Sequence, residues 1–323
     1  MGIKLYKLSM TTIIFTDTHF GVKQNSMTWL NSQLDFINNQ LIPHIKSTKD
    51  VIRLVHLGDV FDSRSSISTY VASKVYDVFK QLSSMVEEFI IVDGNHDYYS
   101  PNSEDVDTVS LMFRDLDINV IKTGYYIWGD DLFVPWFTWF DQQKLQDLID
   151  KHNIKTVYTH ADIVMSKIDI KGVDIYSGHT HIPYIKGRIK NLGSCYALNF
   201  GDSNQPRGFY ELTNEGLKFI ENMKSIRFYR LYNDDIFKSW EFQPNDYIEI
   251  YITQSNLASP KYNDRINHFT KTYKNTWVIP QVNVLDVNDN VTFEGYDIAA
   301  IAKNLIPENL KQKFEMVINN IKD

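Results

Sequence analysis

Five short runs of apolar and β-branched residues recur along the first two thirds of this chain, and each stops at a polar cluster containing Asp, Asn or His. Thr12 to Thr16 ends at Asp17, Val51 to Leu57 at Gly58-Asp59, and Phe89 to Val92 at Gly94-Asn95-His96-Asp97. Thr156 to Thr159 stops at His160, and Val173 to Tyr176 stops at Gly178-His179. Runs of this length and make-up read as buried strands. Between them lie stretches of helical period. Ser26 to Leu41 puts Trp29, Leu30, Leu34, Ile37 and Leu41 on one side, and Ser68 to Glu88 reads as a helix. Strands alternating with helices predict a layered α/β fold. In such sheets ligand sites gather beyond the carboxyl ends of the strands, so side chains distant in sequence can point at one spot.

The rest of the chain changes texture near Ile226. Tyr247 to Ile252 alternates like a half-exposed strand, Lys261 to Tyr273 is a charged helical stretch, and Trp277 to Leu285 is strand-like, with Pro280 arguing for an edge. Two helical runs follow, Asp297 to Leu305 and Glu308 to Ile321, separated by Pro307. Each carries an apolar stripe, which fits packing on its own domain or docking on a partner; periodicity favours the former. The expected division is a main domain over 1–225, a small α+β domain over 226–295 and a helix pair over 296–323.

Composition narrows the function. At 323 residues and 43% hydrophobic, the chain can bury a large core and a smaller one. A net charge of −7 excludes binding nucleic acid through a positive field of the whole molecule. Any nucleic acid would be held locally, by a patch, by metals or by a partner. The single cysteine, Cys195, excludes an intramolecular disulfide and fits a reducing compartment. Met1 to Met10 is polar and basic, without the apolar run of a signal peptide, and no stretch is apolar enough to span a membrane. The expectation is a cytoplasmic protein with no membrane partner.

The chemistry lies in the strand ends. In order they carry Asp17-Thr-His19, Gly58-Asp59-Val-Phe-Asp62, Gly94-Asn95-His96-Asp97, Tyr-Thr-His160 and Gly178-His179-Thr-His181. One D-x-H is common by chance, and a lone buried His is more often a core residue than a ligand. Five of nine histidines at such ends, beside Asp17, Asp59 and Asn95, are not explained by packing alone. Imidazole and carboxylate donors suit manganese, iron or zinc, and the lack of a cysteine cluster argues against a structural zinc site. Two ions sharing a bridging carboxylate can bind a hydroxide and clamp a phosphoryl oxygen. In D-x-H and H-x-H the two side chains share one side of an extended segment. The glycines at 58, 94 and 178 are expected to permit tight turns.

These five motifs, in this order, resemble those of the calcineurin-like metallophosphoesterases. The resemblance implies a layered β-sandwich flanked by helices. It implies one metal held by Asp17, His19, Asp59 and His181, and another by Asp59, Asn95, His160 and His179. His96 would face the scissile phosphate, with Asp62 and Asp97 orienting ligands or His96. The G-D-V-F-D form of the second motif is similar to that of SbcD-type nucleases. So are Leu192-Gly193-Ser194, Phe200-Gly201-Asp202 and Pro206-Arg207-Gly208-Phe209, followed by a small α+β cap and a helix pair. That closer resemblance, to compact phage-like versions, implies a manganese-dependent DNA nuclease with 3′→5′ exonuclease and single-strand endonuclease activity in repair or recombination. It implies two Mn2+ ions, DNA as substrate, and an SMC-like coiled-coil ATPase of the SbcC type as partner. A homodimer formed by helices such as Ser68 to Glu88 and Val106 to Leu116 is implied as well. The competing readings are a stand-alone phosphodiesterase or phosphatase and a non-catalytic scaffold.

Several features lie outside these motifs. The stretch before the first strand is longer than the family pattern and could add a strand. Trp128 to Phe140 is rich in aromatics and reads first as core or dimer surface, second as a platform for unpaired bases. Lys186-Gly187-Arg188-Ile189-Lys190 reads as a solvated turn, with a phosphate grip as the alternative. Arg64 fits a surface loop or a DNA contact equally, and His56 and Cys195 read as structural.

Overall fold

The computed structural model describes residues 10–136, 142–161 and 170–281. The described residues up to 279 belong to one compact unit. The extension before residue 10 and the helices expected over 297–305 and 308–321 lie outside the described residues.

Two six-stranded sheets carry the main domain. In the first, β1 (Thr11–Phe15), β2 (Val51–His56), β3 (Glu88–Val92) and β6 (Asn119–Ile121) run parallel. The hairpin of β13 (Gly208–Thr213) and β14 (Gly216–Glu221) continues the sheet antiparallel to β1, giving the order β14-β13-β1-β2-β3-β6. Between β3 and β6, β4 (Tyr98–Ser100) and β5 (Ser103–Asp107) form a separate ribbon. The second sheet holds β7 (Tyr126–Trp128), β8 (Asp131–Val134), β9 (Thr156–Thr159), β10 (Asp174–Ser177), β11 (Tyr184–Lys186) and β12 (Ile189–Asn191). Its order is β11-β12-β10-β9-β8-β7, with β8, β9, β10 and β12 parallel.

Alternation along the strands makes the sandwich, because successive side chains leave a strand on opposite faces. Ile14, Val55, Ile90 and Val92 of the first sheet meet Phe133, Tyr158 and Tyr176 of the second in one core. Phe133 and Tyr158 stack there at 4.7 Å. The intervening residues Ile13, Phe15, Leu54, Phe89 and Ile91 face outward under the helices Met27–Phe36, Ile42–Ser47 and Thr69–Ser83. Phe79 of the last of these stacks on Phe113 at 4.6 Å and 7°. The outer face of the second sheet is covered by Leu145 and Ile149 of the helix Gln142–His152. Helix, sheet, sheet and helix are thus the four layers expected.

Several element ends differ from the sequence reading. The helix expected over Ser68 to Glu88 is capped by the Ser68 hydroxyl, which accepts from Val71 N–H at 3.2 Å, and it ends at Ser83. There the hydroxyls of Ser83 and Ser84 bond the carbonyls of Lys80 and Gln81, competing with the backbone, and Glu88 belongs to β3. Val106 lies in β5, not in a helix; Asp107 caps the shorter helix Thr108–Phe113 by accepting from Ser110 N–H at 2.5 Å. The stripe expected over Ser26 to Leu41 runs through a π-helical turn, Ile37–Leu41, and on through Ile42–Ser47, so Ile42 and Ile45 extend it.

The residues after 225 build a third sheet, β15 (Phe228–Tyr232), β16 (Tyr247–Thr253) and β17 (Thr276–Gln281), with Pro280 in the edge strand. Ile248, Ile250 and Ile252 alternate inward against Ile266 and Phe269 of the helix Pro260–Thr272. Trp29 stacks on Phe228 at 5.8 Å and ties this sheet to the first helix layer. Among the described residues no helix is long and apolar enough to cross a membrane.

One cation is buried between the sheets. Arg53 reaches across from β2 to Asp131 at 2.6 Å and shares the Thr12 hydroxyl, while the Trp128 ring covers its guanidinium at 4.6 Å. Removing one partner of such a pair strands the other charge away from water. Arg53→Met is therefore expected to lower unfolding free energy by about 3–5 kcal/mol in a urea titration. Pairing it with Asp131→Leu should recover most of that loss, and an additive double variant would refute the account.

Candidate metal centre

The site lies where the carboxyl ends of β1, β2 and β3 meet those of β9 and β10. It forms there because the loops approach closer than side chains allow. A Cβ on Gly58 would lie 2.6 Å from both Gly94 N and His160 Nδ1, and one on Gly94 would lie 2.3 Å from Asp59 Oδ1. A Cβ on Gly178 would meet Thr16 Oγ1 at 2.4 Å. Only Gly58 of the three needs a positive φ, 90°. Tight turning thus accounts for Gly58, and close backbone approach accounts for Gly94 and Gly178.

Four candidate ligands sit in left-handed backbone conformations: Asp17 (φ 52°), His19 (φ 40°), Asp59 (φ 55°) and His179 (φ 77°). Each costs on the order of 1–2 kcal/mol in a residue with a Cβ. Local bonds hold the strain in place. Phe15 carbonyl accepts from Leu57 N–H, and Gly58 carbonyl accepts from Asp17 N–H, both at 3.0 Å. Asp97 accepts from the N–H groups of Asp59, Val60 and Gly94 at 2.8–2.9 Å. The orienting role expected of Asp97 is therefore exercised on the loop that carries Asp59.

The eight residues singled out by the sequence come together. Asp17, His19 and His181 form one cluster of donor atoms, and Asp59, His160 and His179 another. Asp59 Oδ2 stands between them, 3.6 Å from His19 Nε2 and 3.4 Å from His160 Nε2. In the first cluster His181 Nε2 faces His19 Nε2 at 3.2 Å, and each is 3.9 Å from Asp17 Oδ1. In the second, Asn95 Oδ1 lies 3.2 Å from His160 Nε2 and 2.9 Å from His179 Nδ1. Donors around one divalent ion, each about 2.1 Å from it, stand roughly 3.0–3.4 Å apart. The arrangement fits two such ions on a further ground. Asp17 Oδ1 is fully buried without a hydrogen-bond partner, while Oδ2 accepts from Thr16 Oγ1 at 2.6 Å and His179 N–H at 3.2 Å.

The far ring nitrogen of His160 is anchored: Nδ1 contacts the Leu57 carbonyl at 2.5 Å, and such a partner sets ring orientation and raises ligand basicity. Carboxylates stand farther from the other two, Asp62 Oδ1 at 3.4 Å from His19 Nδ1 and Asp202 Oδ2 at 3.8 Å from His181 Nδ1. His96 is placed differently. Its N–H donates to Asp59 Oδ1 at 2.8 Å, its Nδ1 is bonded to the Asp62 carbonyl at 2.6 Å, and Nε2 is left for the open cleft that His96 lines. Val22, Lys23, Leu198 and Asn199 line the same cleft.

Sequence reasoning missed the support behind His181. Asp202 pairs with Arg207 at 3.2 Å, and Arg207 donates to the His181 carbonyl. Both lie in motifs read as family resemblance alone. Trp136 was read only as part of the aromatic block, as core, dimer surface or a platform for bases, and its ring lies 4.7 Å from that of His179. The aromatic block divides, with Phe133 in the inter-sheet core, Trp128 over Arg53 and 137–140 outside the described residues. The basic run is a hairpin turn whose Arg188 and Lys190 pair with Asp174 at 3.1 and 3.2 Å, at the amino end of β10 and away from the site. Arg64 contacts the Tyr98 carbonyl at 3.4 Å. His56 is core, as expected: it bonds Thr18 Oγ1 at 3.0 Å, and burial pushes its pKa down to about 3. Cys195 is buried, which pushes its thiol pKa well up.

Electrostatics tie the cluster to protons. Burial alone would lower the pKa of His19, but the carboxylates of Asp17, Asp62 and Asp59 raise it to about 10. His160 is raised to about 9 against the same burial, chiefly by Asp59. Burial pushes Asp17 up, yet the nearby imidazoles of His19, His160 and His181 bring it down to about 2. Near neutral pH the metal-free cluster thus keeps protons on His19 and His160, which a metal must displace. Metal uptake is expected to release one to two protons, and apparent affinity should rise with pH between about 7 and 9. Titration calorimetry in buffers of different ionisation enthalpy reads this, and heats independent of the buffer would contradict it.

A family model for calcineurin-like phosphoesterases matches residues 10–183, more than half of the chain. Among curated proteins, "Exonuclease subunit 1" of Enterobacteria phage T4 is 21% identical over 229 residues, 64% of this chain. The chain spans 66% of the length of that relative. Among solved structures, nuclease MPE of Pseudomonas putida is 18% identical, covers 55% of this chain and 66% of its own, and gives a TM-score of 0.32. A dimetal phosphatase from Danio rerio is 11% identical, covers 67% of this chain and 99% of its own, and gives 0.43. With two donor clusters that fit the divalent metals used by this family, and a sequence match extending over its strand-end motifs, the chain belongs to the calcineurin-like phosphoesterases.

Proposed function

We propose that the chain is a manganese-dependent DNA nuclease, acting 3′→5′ on ends and cutting single strands, as the nuclease subunit of an SbcCD-like assembly. The observation that carries the phosphodiesterase part is Asp59, whose Oδ2 serves both donor clusters while Oδ1 holds the backbone of His96. The choice of DNA rests on the likeness to the phage exonuclease subunit and on the open form of the cleft.

In this reading Asp17, His19, Asp59 and His181 hold one ion, and Asp59, Asn95, His160 and His179 the other. The pair supplies an activated water and neutralises charge on the phosphoryl oxygens. His96, fixed by the Asp62 carbonyl, turns Nε2 to the phosphate, where it hydrogen-bonds an oxygen and protonates the leaving oxygen. Asp62, Asp97 and Asp202 keep the imidazoles and the Asp59 loop in position. Carboxylates and imidazoles of this kind suit manganese.

The assembly is part of the same proposal. Tyr70, Tyr99, Val106 and Leu111 are large apolar side chains that stand exposed, and they offer a surface for a second copy around residues 69–113. The segment 296–323 is assigned to docking on the ATPase.

With manganese, the protein is expected to degrade linear duplex and single-stranded DNA, and His96→Ala to lower kcat by about 10²–10⁴-fold at unchanged metal content. Hydrolysis of bis(p-nitrophenyl) phosphate with DNA left intact would refute the nuclease reading. Undiminished cleavage by His96→Ala would refute the assigned role. Deleting residues 307–323 should abolish co-purification with the coiled-coil ATPase while manganese-dependent cleavage persists; retained binding would refute the docking assignment.

A further inference from the structure

Directly after the first motif the backbone does something costly. Lys23, Gln24 and Asn25 run consecutively in the left-handed region, at φ 55°, 58° and 61°, after Gly21 at 91°. Side chains with a Cβ avoid this region, and three in a row survive only where the surroundings fix them. Here Asn25 N–H donates to the Gly21 carbonyl at 2.8 Å, and Asn25 Oδ1 accepts from Ser68 N–H at 3.1 Å. The turn is thereby pinned to the start of the helix Thr69–Ser83.

The consequence is where Lys23 stands. Among the described residues it is the one lysine or arginine lining the cleft that contains the donor clusters. Lys23 itself is exposed, whereas Asp17, His19 and Asp59 are buried. A phosphate seated over the buried donors leaves Lys23 at the rim, beside whatever follows along the strand. The chain as a whole carries a net charge of −7, so a polyanion meets little general attraction.

We infer that Lys23 is a substrate-binding residue that grips a backbone phosphate flanking the scissile one, so that the cleft selects strands carrying more than one phosphate. A solvated lysine would not need a pinned left-handed turn to face the cleft. The inference rests on the nuclease reading and sharpens it: the metal cluster accepts any phosphodiester, and Lys23 rewards a second phosphate.

The test separates the two ideas. With manganese, fluorescence anisotropy of labelled oligothymidylate is measured for His96→Ala and for His96→Ala with Lys23→Ala. Cleavage by the otherwise native protein and by Lys23→Ala is followed in parallel on oligothymidylate and on bis(p-nitrophenyl) phosphate, which has one phosphate. The expected result is an oligonucleotide Kd and KM raised roughly threefold or more in Lys23→Ala. The slope of log K against log salt should be shallower by about 0.7, one phosphate contact on a single strand. Lys23→Arg should restore both, with kcat/KM on the single-phosphate ester unchanged. Equal losses on both substrates, or no change on either, would overturn the assignment while DNA cleavage upheld the nuclease reading. An oligonucleotide that is neither bound nor cut while the ester is hydrolysed would overturn both.

Discussion

The structure depends on one carboxylate. Asp59 touches both imidazole clusters through Oδ2, secures His96 through Oδ1, and is itself fixed by the Asp97 carboxylate on its N–H. A buried carboxylate is costly without compensation, and here burial, which would raise the Asp59 pKa, is outweighed by His160, His19 and His96, so that it stays ionised. Asp97, beside it, has the opposite balance: burial and the Asp59 charge push its pKa up to about 7. The N–H bonds that Asp97 accepts from Gly94 and Val60 pull its pKa the other way, so its hold on this backbone is made against burial and the neighbouring charge.

The fold supplies what this arrangement needs. Two sheets deliver parallel strand ends to one place, and the inter-sheet core beneath them is closed by stacked aromatic rings. The left-handed residues Asp17, His19, Asp59 and His179 store strain directly above that core. Strain of this kind persists only when the packing below over-determines it. Stability in the layers is therefore what holds the donors in place, rather than a separate property of the molecule.

Much of this was legible because it is local. A strand end and the polar residue after it are adjacent in sequence, so β1, β2, β3, β9 and β10 and the eight candidate residues that come together could be read from runs and motifs. What escaped was set by contacts between segments. Asp202 supports His181 from another loop, and Trp136 leans on His179 across the second sheet. Gly94 and Gly178 look like turn glycines until the neighbouring backbone is seen, and only then does close approach emerge as their reason. Helix ends were misjudged where serine hydroxyls or an aspartate cap compete with the backbone, as at Ser83 and Asp107. Those contests turn on energies of about 1 kcal/mol, below what periodicity resolves.

Substrate choice follows a different logic from the metal cluster. Imidazoles and carboxylates around two ions address one phosphoryl group and cannot tell a nucleic acid from a small ester. Discrimination must come from groups that meet the rest of the substrate. The obvious basic run, Lys186 to Lys190, is unsuited: Arg188 and Lys190 are held by Asp174, at the far end of a strand that rises roughly 10 Å before it reaches His179. In an acidic molecule, one cation fixed at the cleft rim then weighs more than several on a remote turn, because exposed charges beyond a Debye length of about 8 Å are screened. Position relative to the donors, more than the number of basic residues, decides which phosphates this surface can recognise.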